Sequence, residues 1–242
     1  MLSSFNPLTS GYDGKVIMTA QTTREKILPK GMVTDQNGPH PDLLSVVQHH
    51  RNHLWRKPCP EHTRDAFRIL QQTLEDEPRP LVLDSFCGTG MSTALLADRY
   101  PNSWVVGIDQ SAHRLAKHQG TQHDNYLLLR AEAESFWACL AEAKVRLQSH
   151  WMLFPNPWPK ASQLKRRVHG HGAFPLLSKL GGSLEMRTNW HTFAAEFAQA
   201  ARVIGLLGTC EAYTSASPLT LFEKKYQQRG HELWRFHGEF YR

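Results

Sequence analysis

Three acidic residues stand where strand-like runs of the sequence end. Asp84 ends the apolar run that begins at residue 81, Asp109 closes a second run, and Glu132 closes a third. Gly88 and Gly90 follow the first run, where glycines let the backbone turn sharply and approach a ligand closely. Because ligands of open α/β sheets bind beyond the carboxyl ends of the strands, these five residues predict one binding site.

The acidic character of this predicted site indicates its ligand. The stretch "DSFCGTGMST" has no P-loop lysine for phosphates and lacks the third glycine of the dinucleotide-binding pattern. Asp109 ends the second strand, where a carboxylate can accept the hydroxyl groups of a ribose. A negative field suits a cationic sulfonium nucleoside better than a pyrophosphate, which favours S-adenosylmethionine over NAD as the cofactor. The alternative is that the acids only cap the following helices, and Asp84 is the most open to this interpretation.

A second cluster begins with the stretch "FPNPWPK" at residues 154–160. Its three prolines restrict the backbone and so fix the directions of Asn156 and Trp158. The stretch follows a fourth strand-like run, so its tip is expected at the same edge of the sheet as the acids. A rigid support there would hold a reacting base in line with a methyl group, which matters because displacement is sensitive to geometry. The alternative is a structural turn in which Trp158 fills the core.

A run of cations follows the prolines. Lys160, Lys165, Arg166 and Arg167 fall within eight residues, and no acid occurs from Lys160 through Lys179. A solvated helix face would intersperse acids among the bases, so the run favours contact with phosphates. The formal net charge of +6 agrees with a polyanionic partner. Together these features predict nucleic acid as the partner.

Length and composition set outer limits. A chain of 242 residues is long enough for one large α/β domain with an arm. The four cysteines are scattered without metal-ligand spacing, which indicates free thiols in a reducing compartment and no metal site. The N-terminus does not resemble a signal peptide, and no apolar run approaches the ~20 residues of a membrane span. We therefore expect a cytoplasmic monomer with no membrane partner.

The elements that must position these residues alternate along the chain. From residue 81 onward, strand-like runs and helical patterns follow one another, which predicts a mostly parallel sheet with helices on both faces. Residues 42–76 carry apolar groups at helical spacing, broken by "RKPCP", and residues 1–41 are rich in Ser, Thr, Gly, Pro and Asn. The predicted organisation is a flexible arm over 1–41, a helical extension over 42–76 and an α/β domain over 77–242.

Three motifs in this order carry a family resemblance. "FPNPWPK" with the following "KRR", "TNW" at 188–190, and "TLFEKKYQQRGHELWRF" at 220–236 resemble the bacterial tRNA (guanine-N7-)-methyltransferases. That family shows F-P-D-P-W-x-K with K-R-R, then T-D-W/Y, then T-x-F-E. The resemblance implies a class I S-adenosylmethionine-dependent methyltransferase fold over 77–242, Rossmann-like with a seven-stranded, mostly parallel sheet. It also implies action on a guanine in the variable loop of tRNA.

The resemblance also implies roles for individual positions. Asp84, Asp109 and Glu132 would line the cofactor pocket, with Gly88 and Gly90 beside them. Lys160, Thr220 and Glu223 would contact the RNA, and residues 160–167, which include Lys165, Arg166 and Arg167, would face it. Two positions depart from the family, because Asn156 and Asn189 stand where the family has acids.

The asparagines bear on the chemistry. N7 of guanine already carries a lone pair, so its methylation needs no base to create the nucleophile, but the purine becomes cationic. An amide at Asn156 can orient the base and offers a dipole in place of a charge. Glu223 remains as the acid on the substrate side, and its carboxylate could accept both Watson–Crick donors of guanine. Two alternatives stay open, namely methylation of an exocyclic amino group, as in Asn-Pro-Pro-aromatic loops, and a non-catalytic RNA-binding relative.

Overall fold

The computed structural model describes residues 33–240, so most of the predicted arm, residues 1–32, lies outside the described part. Seven strands form one sheet in the order β3-β2-β1-β4-β5-β7-β6. Strands β1 to β5 are parallel, whereas β7 runs antiparallel to both β5 and β6. The predicted seven-stranded, mostly parallel sheet is thus confirmed. The strands are β1 Leu81–Ser85, β2 Trp104–Asp109, β3 Tyr126–Arg130, β4 Ser149–Leu153, β5 Ser183–Thr188, β6 Leu206–Tyr213 and β7 Leu233–Phe240.

Within the described residues, eight α-helices surround the sheet and precede it. The first two come from the predicted helical extension, and they pack against helices of the α/β domain, α1 on α7 and α2 on α5. The helices are α1 Leu43–Asn52, α2 Glu61–Asp76, α3 Met91–Arg99, α4 Ala112–Leu115, α5 Ala133–Glu142, α6 Leu177–Leu180, α7 His191–Val203 and α8 Leu221–Gln228. Short 3₁₀ turns cover residues 161–166, 168–170 and 174–176.

The central strands β1 and β4 are buried along their whole length. This is expected of parallel strands with helices on both faces. Large aromatic side chains fill the core between the sheet and its helices. Phe197 of α7 contacts Phe174 and Phe236 at ring-centroid distances of 5.5 Å and 5.3 Å. The sheet is therefore a rigid support for the loops at its carboxyl edge.

Some predicted boundaries differ from the observed ones. The stretch "SAHRLAKHQ" at 111–119 begins with a capping serine and predicts a helix, yet only the single turn α4 forms there. A second helix is predicted across 134–147, whereas α5 ends at Glu142. Lys144 adopts a φ of 57° just after α5, a left-handed conformation that ends a helix. The basic run at 161–166 is a 3₁₀ turn. Helical periodicity does not report such local breaks.

Three further observations concern the part of the chain that the structure describes. No helix in residues 33–240 combines the length and the apolar character that a membrane crossing requires. Within the same residues, no group of three or more His, Cys, Asp or Glu could hold a metal ion. All four cysteines are free thiols. Cys59 and Cys139 lie side by side, with their sulfur atoms 3.7 Å apart.

Candidate active site

A cleft of about 920 Å³ opens at the carboxyl edge of the parallel strands. It is lined by the turns that follow strands β1 to β5, by the basic segment and by the start of α8. The edge is the one at which open α/β sheets bind their ligands. Eight predicted site residues line this one cleft, namely Gly88, Asp109, Glu132, Asn156, Lys165, Arg166, Asn189 and Thr220.

The turn after β1 brings backbone to the cleft wall. Phe86, Gly88 and Gly90 adopt φ values of 66°, 63° and 77°. A Cβ atom on Gly88 would meet no heavy atom within 4 Å, so the backbone here faces open space. A Cβ atom on Gly90 would lie 2.4 Å from Leu128 Cδ1, which explains the need for glycine there. Gly90 lies behind the cleft wall, where it precedes α3, and only Gly88 is exposed to a ligand.

Asp84 lies beneath this turn and does not line the cleft, which corrects the expectation that it faces the cofactor. Its side chain is fully buried, and Oδ2 accepts hydrogen bonds from Ser92 Oγ at 2.6 Å and Thr93 Oγ1 at 2.8 Å. Burial raises the pKa of Asp84 to about 6, although these two hydrogen bonds oppose the rise. Asp84 therefore fixes the start of α3, and through it the glycine turn.

Asp109 lines the cleft at the end of β2 and is nearly saturated as an acceptor. Oδ2 accepts the backbone N–H of Gly88 at 3.0 Å, and Oδ1 accepts that of Ser111 at 2.8 Å. Arg114 Nη2 lies 2.9 Å from Oδ1. A carboxylate has about four acceptor positions, so Asp109 keeps one for a ligand hydroxyl on Oδ2. Arg114 is half exposed. If its side chain moved away from Asp109, a second acceptor position, on Oδ1, would become available to a ligand.

Glu132 lines the cleft beside α5 and is held by the helical extension. Its Oε1 pairs with Lys57, and its Oε2 accepts a hydrogen bond from Ser135. Burial alone would raise the pKa of Glu132, but the hydrogen bonds of Lys57 and Ser135 and the charge of Lys57 bring the pKa below its ordinary value. Glu132 is therefore an anion with an acceptor position left on each oxygen.

This set of groups fits a cationic nucleoside. Asp109 and Glu132 present acceptor positions for ribose hydroxyls at neighbouring strand ends, and the open backbone at Gly88 permits close approach. Arg114 pairs with Asp109 and Lys57 pairs with Glu132, so the fit to the ligand rests on these remaining acceptor positions and not on a net negative charge. The donor set therefore agrees with the sulfonium nucleoside predicted from the sequence.

The proline-rich turn forms the opposite wall. Phe154 and Trp158 have φ values of 55° and 46°, a conformation that bulky residues seldom adopt and that clusters at functional sites. Asn156 stands between them, exposed in the cleft, and its side chain has no hydrogen-bond partner within residues 33–240. Asn189, after β5, lies in the same cleft with Nδ2 3.5 Å from His231 Nδ1. Asn156 is thus available to a second ligand.

The basic segment divides into two groups. Lys165 and Arg166 line the cleft and are exposed, and the Arg166 guanidinium lies 5.1 Å from the centre of the Trp158 ring. Lys160 is exposed but lies outside the cleft lining. Arg167 is fully buried, where its guanidinium pairs with Glu196. Burial corrects the prediction that Arg167 faces RNA, because its donors are used inside the protein.

Glu223 also departs from its predicted role. It is fully buried, and its Oε1 accepts hydrogen bonds from Arg187 Nη1 and Tyr213 Oη, each at 2.8 Å. Its Oε2 accepts the backbone N–H of Leu219 at 2.7 Å. Thr220 caps α8 by accepting the N–H of Glu223 at 3.0 Å. The T-x-F-E motif therefore starts a helix, and the prediction that Glu223 reads guanine is corrected.

Sequence reasoning missed several residues that line the cleft or pair with its acids. Lys57 belongs to the basic "RKP" stretch, but nothing in the sequence pairs it with Glu132. Arg114 lies one turn beyond Asp109, and the sequence gives no sign of their contact. Phe222 and Tyr226 both line the cleft, and their spacing of four residues in a helical pattern was a usable signal for one shared face.

A comparison with protein families decides the identity of the fold. Residues 78–236, which span all seven strands but for the end of β7, match the family described as "Putative methyltransferase". The chain belongs to this methyltransferase family. The match spans the acids at the strand ends, the proline-rich turn and the capped α8.

Individual methyltransferases resemble the chain at a moderate level. A tRNA (guanine-N(7)-)-methyltransferase of Yersinia pestis (strain Pestoides F) is 28% identical over 176 residues, which cover 67% of this chain and 73% of that protein. A tRNA (guanine-N(7)-)-methyltransferase of Treponema pallidum (strain Nichols) is 29% identical over 168 residues, covering 65% of this chain and 67% of that protein.

Solved structures share the fold at lower identity. The 16S rRNA methyltransferase KamB superimposes with a TM-score of 0.53 at 16% identity, covering 71% of this chain and 93% of that one. An antibiotic-related methyltransferase gives a TM-score of 0.54 at 16% identity, covering 76% and 96%. These similarities confirm the predicted class I methyltransferase fold.

Proposed function

We propose that this methyltransferase transfers a methyl group from S-adenosylmethionine to N7 of a guanine in the variable loop of tRNA. The observation that carries the proposal is a single cleft with two carboxylates on one wall and the exposed Asn156, Lys165 and Arg166 on the other. The first wall suits a sulfonium nucleoside, and the second suits a base on a phosphate backbone. Relatives in Yersinia and Treponema that bear the name tRNA (guanine-N(7)-)-methyltransferase support the choice of substrate.

Residues at the ends of β2 and β3 would hold the cofactor. Asp109 and Glu132 would accept ribose hydroxyls at their remaining acceptor positions, and the backbone at Gly88 would permit close approach. Bound S-adenosylmethionine would supply an electrophilic methyl group. Arg114 and Lys57 would hold the two carboxylates in place while those acceptor positions face the ligand.

Asn156 and Asn189 would orient the purine. The N7 lone pair lies in the plane of the ring, so the protein has to fix that plane and needs no group to remove a proton. The strained backbone at Phe154 and Trp158 holds Asn156 in the cleft. Its side-chain oxygen can direct the negative end of a dipole toward the purine as positive charge develops. One preorganised contact of this kind is typically worth about 10²–10³ in rate.

Exposed cations would hold the RNA. Lys165 and Arg166 in the cleft and Lys160 beside it would contact phosphates, and Lys225 lies on the facing helix α8. The stacking of Arg166 on Trp158 limits its motion and so reduces the entropy lost when it binds phosphate. We place the protein in the cytoplasm with tRNA, where it acts as a monomer.

Product identification tests the proposal. Full-length protein is incubated with methyl-labelled S-adenosylmethionine and total tRNA, and the nucleosides of the digested tRNA are separated and identified by mass spectrometry. We expect label in 7-methylguanosine. Protein in which Glu132 is replaced by Ala provides the control for contaminating activity, and at cofactor concentrations below the wild-type Kd it should yield at most about a tenth of the label. Label in a nucleoside other than 7-methylguanosine would contradict the assignment. So would the absence of any label when the substrate is tRNA that lacks 7-methylguanosine at the start.

Methylation of an exocyclic amino group is the second candidate. It is favoured by one observation, namely that Asn156 stands between two prolines with its amide unpaired among the described residues. An amide oxygen there could accept a hydrogen bond from an amino group of a base. The same digest separates the candidates, because the methyl group would then appear on an exocyclic nitrogen.

A further inference from the structure

An aromatic side chain stands exposed at the mouth of the cleft. Phe222, in the first turn of α8, is 53% exposed, and its neighbour Leu221 is 61% exposed. Of the large hydrophobic side chains that are at least half exposed in residues 33–240, Phe222 is the only aromatic one. Both residues line the cleft. Exposure of a phenyl ring to water is unfavourable, and neither cofactor binding nor the role proposed for Asn156 uses the Phe222 ring.

Phe222 is the outer end of a row of rings. Its ring is stacked on that of Tyr226, with centroids 6.1 Å apart and an interplanar angle of 22°. Tyr226 contacts Phe154 at 5.8 Å, and its ring is also stacked on His231 at 5.2 Å and 27°. Phe154 stands two residues before Asn156. The row therefore runs from the proline-rich turn to solvent, and the packing behind Phe222 fixes its ring.

The charges around this row are positive. Lys224, Lys225 and Arg229 are exposed on α8 or at its end, and Lys165 and Arg166 line the cleft with Phe222. The one acid of α8, Glu223, is buried against Arg187. Fixed rings beside exposed cations are the combination with which proteins bind unpaired nucleic-acid bases, since every base has a face that can stack.

We propose that Phe222 is a stacking platform for an unpaired base of the RNA, adjacent to the base that enters the cleft at Asn156. The inference rests on the proposed function in one respect, namely that the substrate is RNA. A base that presents N7 deep in a cleft leaves its stack, and its neighbours lose a stacking partner. The Phe222 ring replaces that partner, while Lys225 and Arg166 offer contacts to the adjacent phosphates.

The test is RNA binding without methyl transfer. Fluorescence anisotropy of labelled, unmodified tRNA is measured with full-length wild-type protein, Phe222→Leu, Phe222→Trp and Leu207→Ala, over a range of salt concentrations. Leu207 is a matched control, because it is half exposed on β6 and does not line the cleft. Loss of one stacked base corresponds to about a tenfold weaker Kd.

We expect Phe222→Leu to weaken binding by about tenfold and Phe222→Trp to retain wild-type affinity. The dependence of affinity on salt should stay unchanged in Phe222→Leu, because the lost contact carries no charge. Wild-type affinity in Phe222→Leu would overturn the proposal and would indicate that the ring serves another partner. An equal loss in Leu207→Ala, or a loss in Phe222→Trp, would overturn it as well.

The experiment also separates this inference from the proposed function. If wild-type protein binds tRNA and methylates no guanine, the proposed reaction is wrong. The binding affinities of the Phe222 variants would still show whether Phe222 stacks on a base of the RNA. If wild-type protein methylates guanine but Phe222→Leu binds tRNA normally, the platform fails and the reaction stands. If wild-type protein does not bind RNA at all, both fail.

Discussion

Arg167 and Glu196 form an ion pair in the protein interior, with Nη1 2.5 Å from Oε2 and neither side chain exposed. Arg167 also donates to the carbonyl oxygen of Trp158 at 3.0 Å and to the side chain of Gln36. His40 donates its backbone N–H to Glu196 at 2.8 Å. One ion pair thus connects the proline-rich turn, α7 and the segment that precedes α1.

Replacement of Glu196 by Gln should destabilise the protein strongly. The substitution leaves the Arg167 guanidinium buried without a counter-charge, which typically costs about 3–5 kcal/mol. Glu211→Gln is the control, because it breaks the Arg235–Glu211 pair, whose side chains are 40% and 51% exposed. That loss should stay below about 1 kcal/mol. Urea denaturation of the two variants measures the difference, and equal midpoints would argue against a structural role for the buried pair.

The same carboxylate should make stability depend on acid pH. Burial alone would raise the pKa of Glu196, but the hydrogen bonds and charges of His169 and Arg167 lower it from 4.5 to about 2. Glu196 therefore contributes stability that is fully present above about pH 4.5 and is lost as the pH falls toward 2. The difference corresponds to about 3 kcal/mol. The free energy of unfolding of wild type should fall more steeply over this range than that of Glu196→Gln. Parallel profiles would show that Glu196 titrates normally.

Arg166 and Arg167, although adjacent, should behave differently toward RNA. Arg166→Gln should weaken tRNA binding and lower the slope of log affinity against log salt by about one, because one phosphate contact is lost. Arg79→Gln is the control, since Arg79 precedes β1 at the opposite edge of the sheet and pairs with Glu77. Binding titrations at several salt concentrations provide the slopes. An unchanged slope in Arg166→Gln would remove Arg166 from the RNA interface.

Glu132 should determine cofactor affinity. Glu132→Gln removes the charge that faces Lys57 and the cationic cofactor, and a hydrogen bond to a charged group is worth about 1.5–3 kcal/mol. We expect the Kd for S-adenosylmethionine to rise at least tenfold by calorimetry. Glu142→Gln, an exposed change at the far end of α5, the helix that Glu132 precedes, should bind as wild type does. Equal affinities in the two variants would place the cofactor elsewhere.

The sequence predicted site residues best where they lie directly after a strand. Asp109, Glu132 and the turn at Asn156 each follow a strand, and parallel strands bring their ends to one edge. Their shared cleft could therefore be predicted. The positive charge of the basic segment could also be predicted, because counting its Lys and Arg residues does not require knowing where their side chains point.

Burial of individual charges could not be predicted. Arg167 and Glu223 each lie in charged or polar stretches, and their buried partners are Glu196, 29 residues away, and Arg187, 36 residues away. Pairing over such separations depends on how helices pack on the sheet, which local patterns do not encode. The link between Lys57 and Glu132, 75 residues apart, was hidden for the same reason.

Turnover by Asn156 variants tests the central claim most directly, namely that Asn156 presents the reacting base to a methyl donor held by Asp109 and Glu132. Single-turnover methylation of unmodified tRNA is measured for wild type, Asn156→Ala and Asn156→Asp, at saturating tRNA and cofactor. We predict a loss of about 10² in rate for Asn156→Ala, because one preorganised contact is removed, and a faster rate for Asn156→Asp, because a carboxylate stabilises the cationic purine. Cofactor affinity should remain unchanged in both variants. A wild-type rate in Asn156→Ala would contradict the account.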